Sequence, residues 1–142
     1  MKAMVLAAGL GKRLRPITDT TPKPLLEVRG KSLIEHHLER LRVAGIQDVV
    51  INLHHLGDQI QSRLGDGDRL GVNISYSFET ELLETGGGVK KALPMLGDSP
   101  FLVTSADTYL DFDLGRLPKE LPSGMRGLLV MTNNPPHHPE GD

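Results

Sequence analysis

Leu6-Ala7-Ala8-Gly9-Leu10-Gly11-Lys12-Arg13 follows a short apolar run, Ala3-Met4-Val5-Leu6, that reads as a buried strand. Small side chains let a ligand approach the backbone, and two glycines two apart permit the φ values that turn successive N–H groups inward. Lys12, Arg13 and Arg15 add full positive charges, and Lys23 adds another from Thr21-Pro22-Lys23-Pro24-Leu25. Pro22 and Pro24 fix their own φ and restrict the residues before them, so Lys23 is expected on a stiff, non-helical segment. An inward row of N–H groups ringed by cations suits a polyphosphate.

Outward from this stretch, the chain alternates strand and helix. A strand over Ala3–Ala7 is followed by a long loop from Ala8 to Gly30, and long ordered loops are usually functional. Ser32 and Glu35 have capping-box spacing, so a helix starts there, with Ile34, Leu38 and Leu41 on one face and Gly45 as its stop. Asp48–Leu53 reads as a strand, and Leu56, Ile60 and Leu64 as one face of a short helix ending at Gly65. Val72, Ile74, Tyr76 and Phe78 alternate with polar residues, as in a half-buried strand. After the acidic stretch 79–84, Thr85-Gly86-Gly87-Gly88 leads into a helix to Leu96, weakened near its end by Pro94. Further strands are expected at Phe101–Thr104 and Leu128–Thr132, with one helical turn at Leu114–Leu117 and a loop from Asn133 to Asp142. This order predicts an α/β fold with a mainly parallel sheet and helices on both faces. Ligands of such sheets sit beyond the strand C-terminal ends, where strand order reverses. The glycine loop, Asn52-Leu53-His54 and Asp107 all fall at such ends.

Composition narrows the function. A chain of 142 residues builds one domain with a real core. A net charge of −2 and the lack of a basic stripe with interleaved aromatics argue against a nucleic-acid binder. The absence of cysteine excludes disulfides, thiolate catalysis and Cys-ligated zinc. No apolar run approaches the ~18 residues of a membrane span, and no leader pattern opens the chain, so the cytoplasm is the default compartment. The six histidines form three adjacent pairs without metal-binding spacing.

L-A-A-G-x-G-x-R followed by P-K-P-L, at Leu6–Arg13 and Pro22–Leu25, resembles the signature of sugar-1-phosphate nucleotidyltransferases. With Leu82-Glu84-Thr85-Gly86-Gly87-Gly88, the chain is most similar to the N-acetylmuramate-1-phosphate uridylyltransferases and the related mannose-1-phosphate guanylyltransferases. The resemblance implies a Rossmann-like three-layer sandwich, the nucleotide-diphospho-sugar transferase fold. It also implies Mg²⁺ as cofactor, and a nucleoside triphosphate (UTP favoured over GTP) and a sugar 1-phosphate as partners. Phosphoryl chemistry of this kind needs alignment and charge neutralisation rather than a covalent nucleophile.

Arg13, with a planar fork that stays charged, is the candidate for the β- and γ-phosphates, and Lys23 for the α-phosphate. Matching positions in the family carry these roles. Leu6, Ala8, Gly9, Gly11, Lys12 and Asn52 complete the expected nucleotide-binding set. Thr85, Gly86 and Gly87 are expected against the base, where Glu84 accepts a hydrogen bond or favours the helix N-terminus. Asp107 is the candidate metal ligand, since Mg²⁺ takes one or two carboxylates with phosphate oxygens and water. Family members often have glycine before this aspartate. Here Ala106 stands there, and would be strained if the position required positive φ. Asp111 and Asp113 read as residues of a solvated turn.

Relatives usually run further and carry a second metal aspartate in a W-x-D-[IV]-G-T type motif, which has no counterpart here. The 142 residues are therefore expected to be one nucleotide-binding portion without the sugar-binding part, with weak or no turnover of their own. Two other readings compete. One is a nucleotide-binding module without catalysis. The other, an NAD-dependent oxidoreductase, fits poorly: Leu14 stands where a third glycine belongs, and Asn52-Leu53-His54 offers no acid for a ribose.

Overall fold

A computed structural model describes residues 1–134 except Leu110, together with Pro136, Pro139 and Glu140. Four parallel strands form the central sheet: β1 (Lys2–Leu6), β4 (Asp48–Leu53), β5 (Asn73–Phe78) and β6 (Phe101–Ser105). Their order across the sheet is β5-β4-β1-β6. A two-stranded antiparallel hairpin, β2 (Glu27–Val28) and β3 (Lys31–Ser32), closes the long first loop. The helices are α1 (Leu33–Val43), α2 (Gly57–Leu64) and α3 (Glu84–Leu96).

Alternation along the strands divides the core into two layers. Ala3 and Val5 of β1, with Val49, Ile51 and Leu53 of β4, pack against Ile34, Leu38 and Leu41 of α1 and Ile60 and Leu64 of α2. Met4 and Val50 point the other way, onto Ala92 and Leu96 of α3. Continuous apolarity in β1 and β4 therefore reflects burial on both faces, as a parallel sheet demands. β5 is an edge strand, which accounts for its alternating sequence.

Local signals explain the element boundaries. Ser32 and Glu35 form the capping box: Ser32 N–H donates to Glu35 Oε2 at 3.0 Å, and Glu35 N–H to Ser32 Oγ at 3.4 Å. Glu35 is itself buried, and its carboxylate accepts from Arg69 at 2.6 Å and Arg63 at 3.3 Å. That ties the first turn of α1 to α2 and to the 3₁₀ turn Asp68–Leu70. Burial alone would raise the Glu35 pKa, but the hydrogen bonds from Arg69, Ser32 and Arg63 hold it down at about 2.

Three expectations need correcting. Leu128–Thr132 is not a strand: Leu129 and Met131 are 83% and 80% exposed. Apolar sequence favours a strand only where a neighbouring ladder and a packing face receive it, and among the described residues β6 pairs with β1 alone. Lys23 does not sit on a non-helical segment, because Lys23–Leu25 is a 3₁₀ turn. Pro22 is extended, but a proline as second residue of a turn is compatible with helical φ. The glycines 86–88 are not a loop ahead of a helix. They lie within α3, which starts at Glu84.

Candidate functional site

The sheet order reverses at β1, whose successors run to one side as β4 and β5 before β6 returns to the other. Leu6, the last residue of β1, is in register with Asn52 on one side and Ser105 on the other. Beyond these ends lies a cavity of about 420 Å³, bounded by residues 6–14, Lys23 and Pro24, Asn52, Leu82, Glu84, Thr85 and residues 105–107. It is the crevice that the topology calls for.

The glycine loop forms one wall. Gly11 has φ of 62°, a conformation that costs glycine nothing. Its carbonyl accepts from Leu14 N–H at 2.9 Å and from Thr18 Oγ at 2.9 Å. A Cβ added at Gly11 would meet Thr18 Cγ2 at 2.8 Å, so both backbone conformation and space require glycine. Thr18 is buried beneath the loop, and its own carbonyl lies 3.1 Å from His55 Nε2. Gln59 of α2 donates to Thr20 O at 3.0 Å, so α2 braces the far half of the loop.

Lys12 and Arg13 are exposed on this wall, and among the described residues neither forms an ion pair. Arg15 does not join them. It pairs with Asp19 at 3.1 Å, outside the cavity lining. Across the cavity, Lys23 Nζ lies 2.6 Å from Asp107 Oδ2. The residue named for the α-phosphate and the one named for the metal thus face each other. Ala106 is not in the positive-φ region, so the strain considered for it is absent. Its N–H donates to Leu6 O at 3.0 Å, continuing the β1–β6 ladder by one residue and presenting Asp107 just beyond.

The opposite wall is the start of α3. Asn52 lies on the α3 side of β4 and is almost wholly buried. Its Oδ1 accepts from Ala7 N–H at 2.8 Å, and its Nδ2 donates to Glu79 Oε1 at 2.8 Å. Glu79 Oε2 in turn accepts from Leu83 N–H at 3.0 Å. Leu82, Glu84 and Thr85 reach the cavity, whereas Gly86 and Gly87 do not line it. Gly87 packs on Leu83, and a Cβ at Gly86 would meet nothing within 4 Å.

Leu6, Ala8, Gly9, Gly11, Lys12, Arg13, Lys23, Asn52, Thr85 and Asp107 therefore share one cavity, and Gly86 stands outside it. Sequence reasoning missed Thr18 and Glu79. Thr18 carries no local pattern. Glu79 was read only as part of the acidic stretch 79–84, although its place just past the C-terminal end of an alternating strand was the available signal.

A second groove, of about 710 Å³, runs between α1 and residues 107–109 and 112–114 and shares Asp107. His37 borders it, and burial pushes that imidazole below its usual pKa. Asp113 caps the turn Leu114–Arg116, in keeping with its reading as a turn residue. The described histidines His36, His54 and His55 each face a backbone carbonyl, while His137 and His138 lie outside the described residues.

The chain is similar to known proteins. The N-acetylmuramate alpha-1-phosphate uridylyltransferase of Neisseria meningitidis serogroup B is 53% identical over 146 residues, covering 100% of this chain and 63% of that protein. A mannose-1-phosphate guanyltransferase of Gibberella zeae is 38% identical over 138 residues, covering 93% of the chain and 37% of the relative. The crystal structure of HddC from Yersinia pseudotuberculosis complexed with GMP-PN superposes with a TM-score of 0.71 at 30% identity, over 79% of this chain and 50% of that one. The chain thus spans less than two thirds of the length of each. A sequence model of the nucleotidyl transferase family matches residues 2–139. That match covers nearly the whole chain, and the chain belongs to the nucleotidyl transferase family.

Proposed function

We propose that the chain handles a nucleoside triphosphate, UTP by preference, and passes its nucleotidyl group to a sugar 1-phosphate such as N-acetylmuramate 1-phosphate. The observation that carries this reading is the convergence of the Gly11 loop, Lys12, Arg13, Lys23 and Asp107 on one crevice at the strand-order reversal. In the reaction, a phosphate oxygen of the sugar 1-phosphate bonds to the α-phosphorus as the bond from that phosphorus to the β-phosphate oxygen breaks. The products are the nucleoside diphosphate sugar and pyrophosphate. The nucleophile is already anionic near neutral pH, so no general base is needed.

Arg13 grips the β- and γ-phosphates with its fork, and the N–H groups of residues 9–11 face the same oxygens. Lys23 leaves Asp107 for the α-phosphate and stabilises the charge that grows there in the transition state. Asp107 fits a Mg²⁺ ion: its carboxylate lines the crevice beside Lys23, with room for phosphate oxygens and water. Bound there, Mg²⁺ would neutralise phosphate charge and favour departure of pyrophosphate. Thr85 and Glu84 take the base end.

Residues 1–142 form one nucleotide-binding portion in this reading. The cytoplasm suits these substrates, and among the described residues no helix is long and apolar enough to cross a membrane. The guanylyl reading draws support from the mannose-1-phosphate guanyltransferase relative. The preference for UTP rests on Glu84-Thr85-Gly86-Gly87-Gly88 and on the more similar uridylyltransferase.

The test is pyrophosphate release with Mg²⁺, each nucleoside triphosphate and a panel of sugar 1-phosphates. Release with UTP above the other nucleotides supports the proposal. UTP binding without release favours the non-catalytic module. Neither binding nor release refutes both.

A further inference from the structure

We propose that Glu79 is a positioning residue that locks the base-side wall of the cavity to its phosphate-side wall through Asn52. The proposal rests on the nucleotide reading above and adds a residue to it. Glu79 does not line the cavity, is 5% exposed, and spends both carboxylate oxygens on protein groups. One oxygen takes Asn52 Nδ2 at 2.8 Å and the other takes Leu83 N–H at 3.0 Å. The remaining amide oxygen of Asn52 takes Ala7 N–H at 2.8 Å. A continuous chain therefore runs from the first residue of the glycine loop, through two buried side chains, to the residue immediately before α3.

The backbone of Glu79 is fixed as well. Its N–H donates to Leu53 O at 2.7 Å, and its carbonyl lies 2.9 Å from His54 Nδ1. Gly88 closes over the link: a Cβ there would meet Glu79 Oε1 at 2.8 Å and Asn52 Nδ2 at 2.9 Å. That is why α3 carries glycine at this point, against its helix propensity.

The donor and acceptor pattern makes the link directional. Ala7 N–H and Leu83 N–H are both fixed donors, and Asn52 supplies one acceptor and one donor between them. The other partner must then accept at both ends, which only a carboxylate does. Glutamine in place of Glu79 sets a donor against either Asn52 Nδ2 or Leu83 N–H. Asn52 is held in the sheet ladder, whereas Leu83 precedes α3 and gives its N–H to Glu79 Oε2, so the mismatch falls on Leu83 and loosens residues 82–85. The pattern is restored, with the same total charge, when Asn52→Asp accompanies Glu79→Gln. The introduced carboxylate then accepts from Ala7 N–H and from the introduced amide NH₂, and the oxygen of that amide accepts from Leu83 N–H.

Calorimetric titration of the wild type, Glu79→Gln, Asn52→Asp/Glu79→Gln and Gly88→Ala with UTP and with tripolyphosphate tests the link. Glu79→Gln is expected to weaken UTP binding about tenfold and change tripolyphosphate binding by less than about twofold, since one charged hydrogen bond is lost at the base side only. The double variant is expected to recover most of the UTP affinity. Gly88→Ala, which presses a methyl onto the link, is expected to weaken UTP more than tripolyphosphate, and reads out the link should Glu79→Gln not fold. Unchanged UTP binding, parallel losses for both ligands, or no recovery in the double variant overturns the positioning role. A wild type that binds neither ligand overturns the nucleotide reading and the proposal with it.

Discussion

Two side chains 2.6 Å apart, Lys23 and Asp107, carry the chemistry proposed for this cavity. Each lies beside a group that phosphate or a cation would replace. Lys23→Ala is expected to lower pyrophosphate release by about 10²- to 10³-fold, the usual consequence of removing one transition-state donor. Asp107→Ala should abolish release at any Mg²⁺ concentration. Activity surviving both changes would remove the assignment. Gly11 offers a different test. Alanine there brings a Cβ 2.8 Å from Thr18 Cγ2 and holds φ at 62°, so Gly11→Ala should weaken triphosphate binding with little change in the sheet. Calorimetry with UTP, beside a circular dichroism spectrum, separates the two effects. That Gly11, Arg13 and Lys23 line one cavity was legible because glycines and cations stand together in two short, nearby stretches. Thr18 was not, since its role is to fill the space beneath a loop whose shape no local pattern encodes.

At the scale of elements, Ser32–Glu35 shows how far local signals reach. The capping box was readable from spacing, and the structure gives Glu35 a second task, receiving Arg63 and Arg69. Because its pKa in the folded chain is about 2, below the ordinary carboxylate value, the folded state binds fewer protons than the unfolded one. The stability it contributes is complete above that ordinary value and is lost as pH falls toward about 2. Glu35→Gln should therefore cost about 1–2 kcal/mol at neutral pH, since the carboxylate is buried but both arginines reach it from solvent. Urea unfolding of both forms across the acid range should show the difference narrowing as the pH drops, and a pH-independent difference would refute the linkage. Leu128–Thr132 marks the opposite limit. Its apolar run satisfied strand propensity, but a strand also needs a partner, and pairing is a property of the sheet rather than of five residues.

For the whole molecule, the order β5-β4-β1-β6 places the reversal beside the glycine loop and brings residues from four distant stretches to one crevice. The alternation of strands and helices made that class of fold readable, and the strand C-terminal ends made the position of the site readable. The link from Ala7 through Asn52 and Glu79 to Leu83 was not, because it exists only after β1, β4 and β5 are in register. The most direct test is a crystal structure of the protein grown with UTP and Mg²⁺. Density for the triphosphate tail is expected within hydrogen-bonding distance of the Gly11 backbone, Arg13 and Lys23. A tail bound elsewhere, with Lys23 still paired to Asp107, would contradict the assignment.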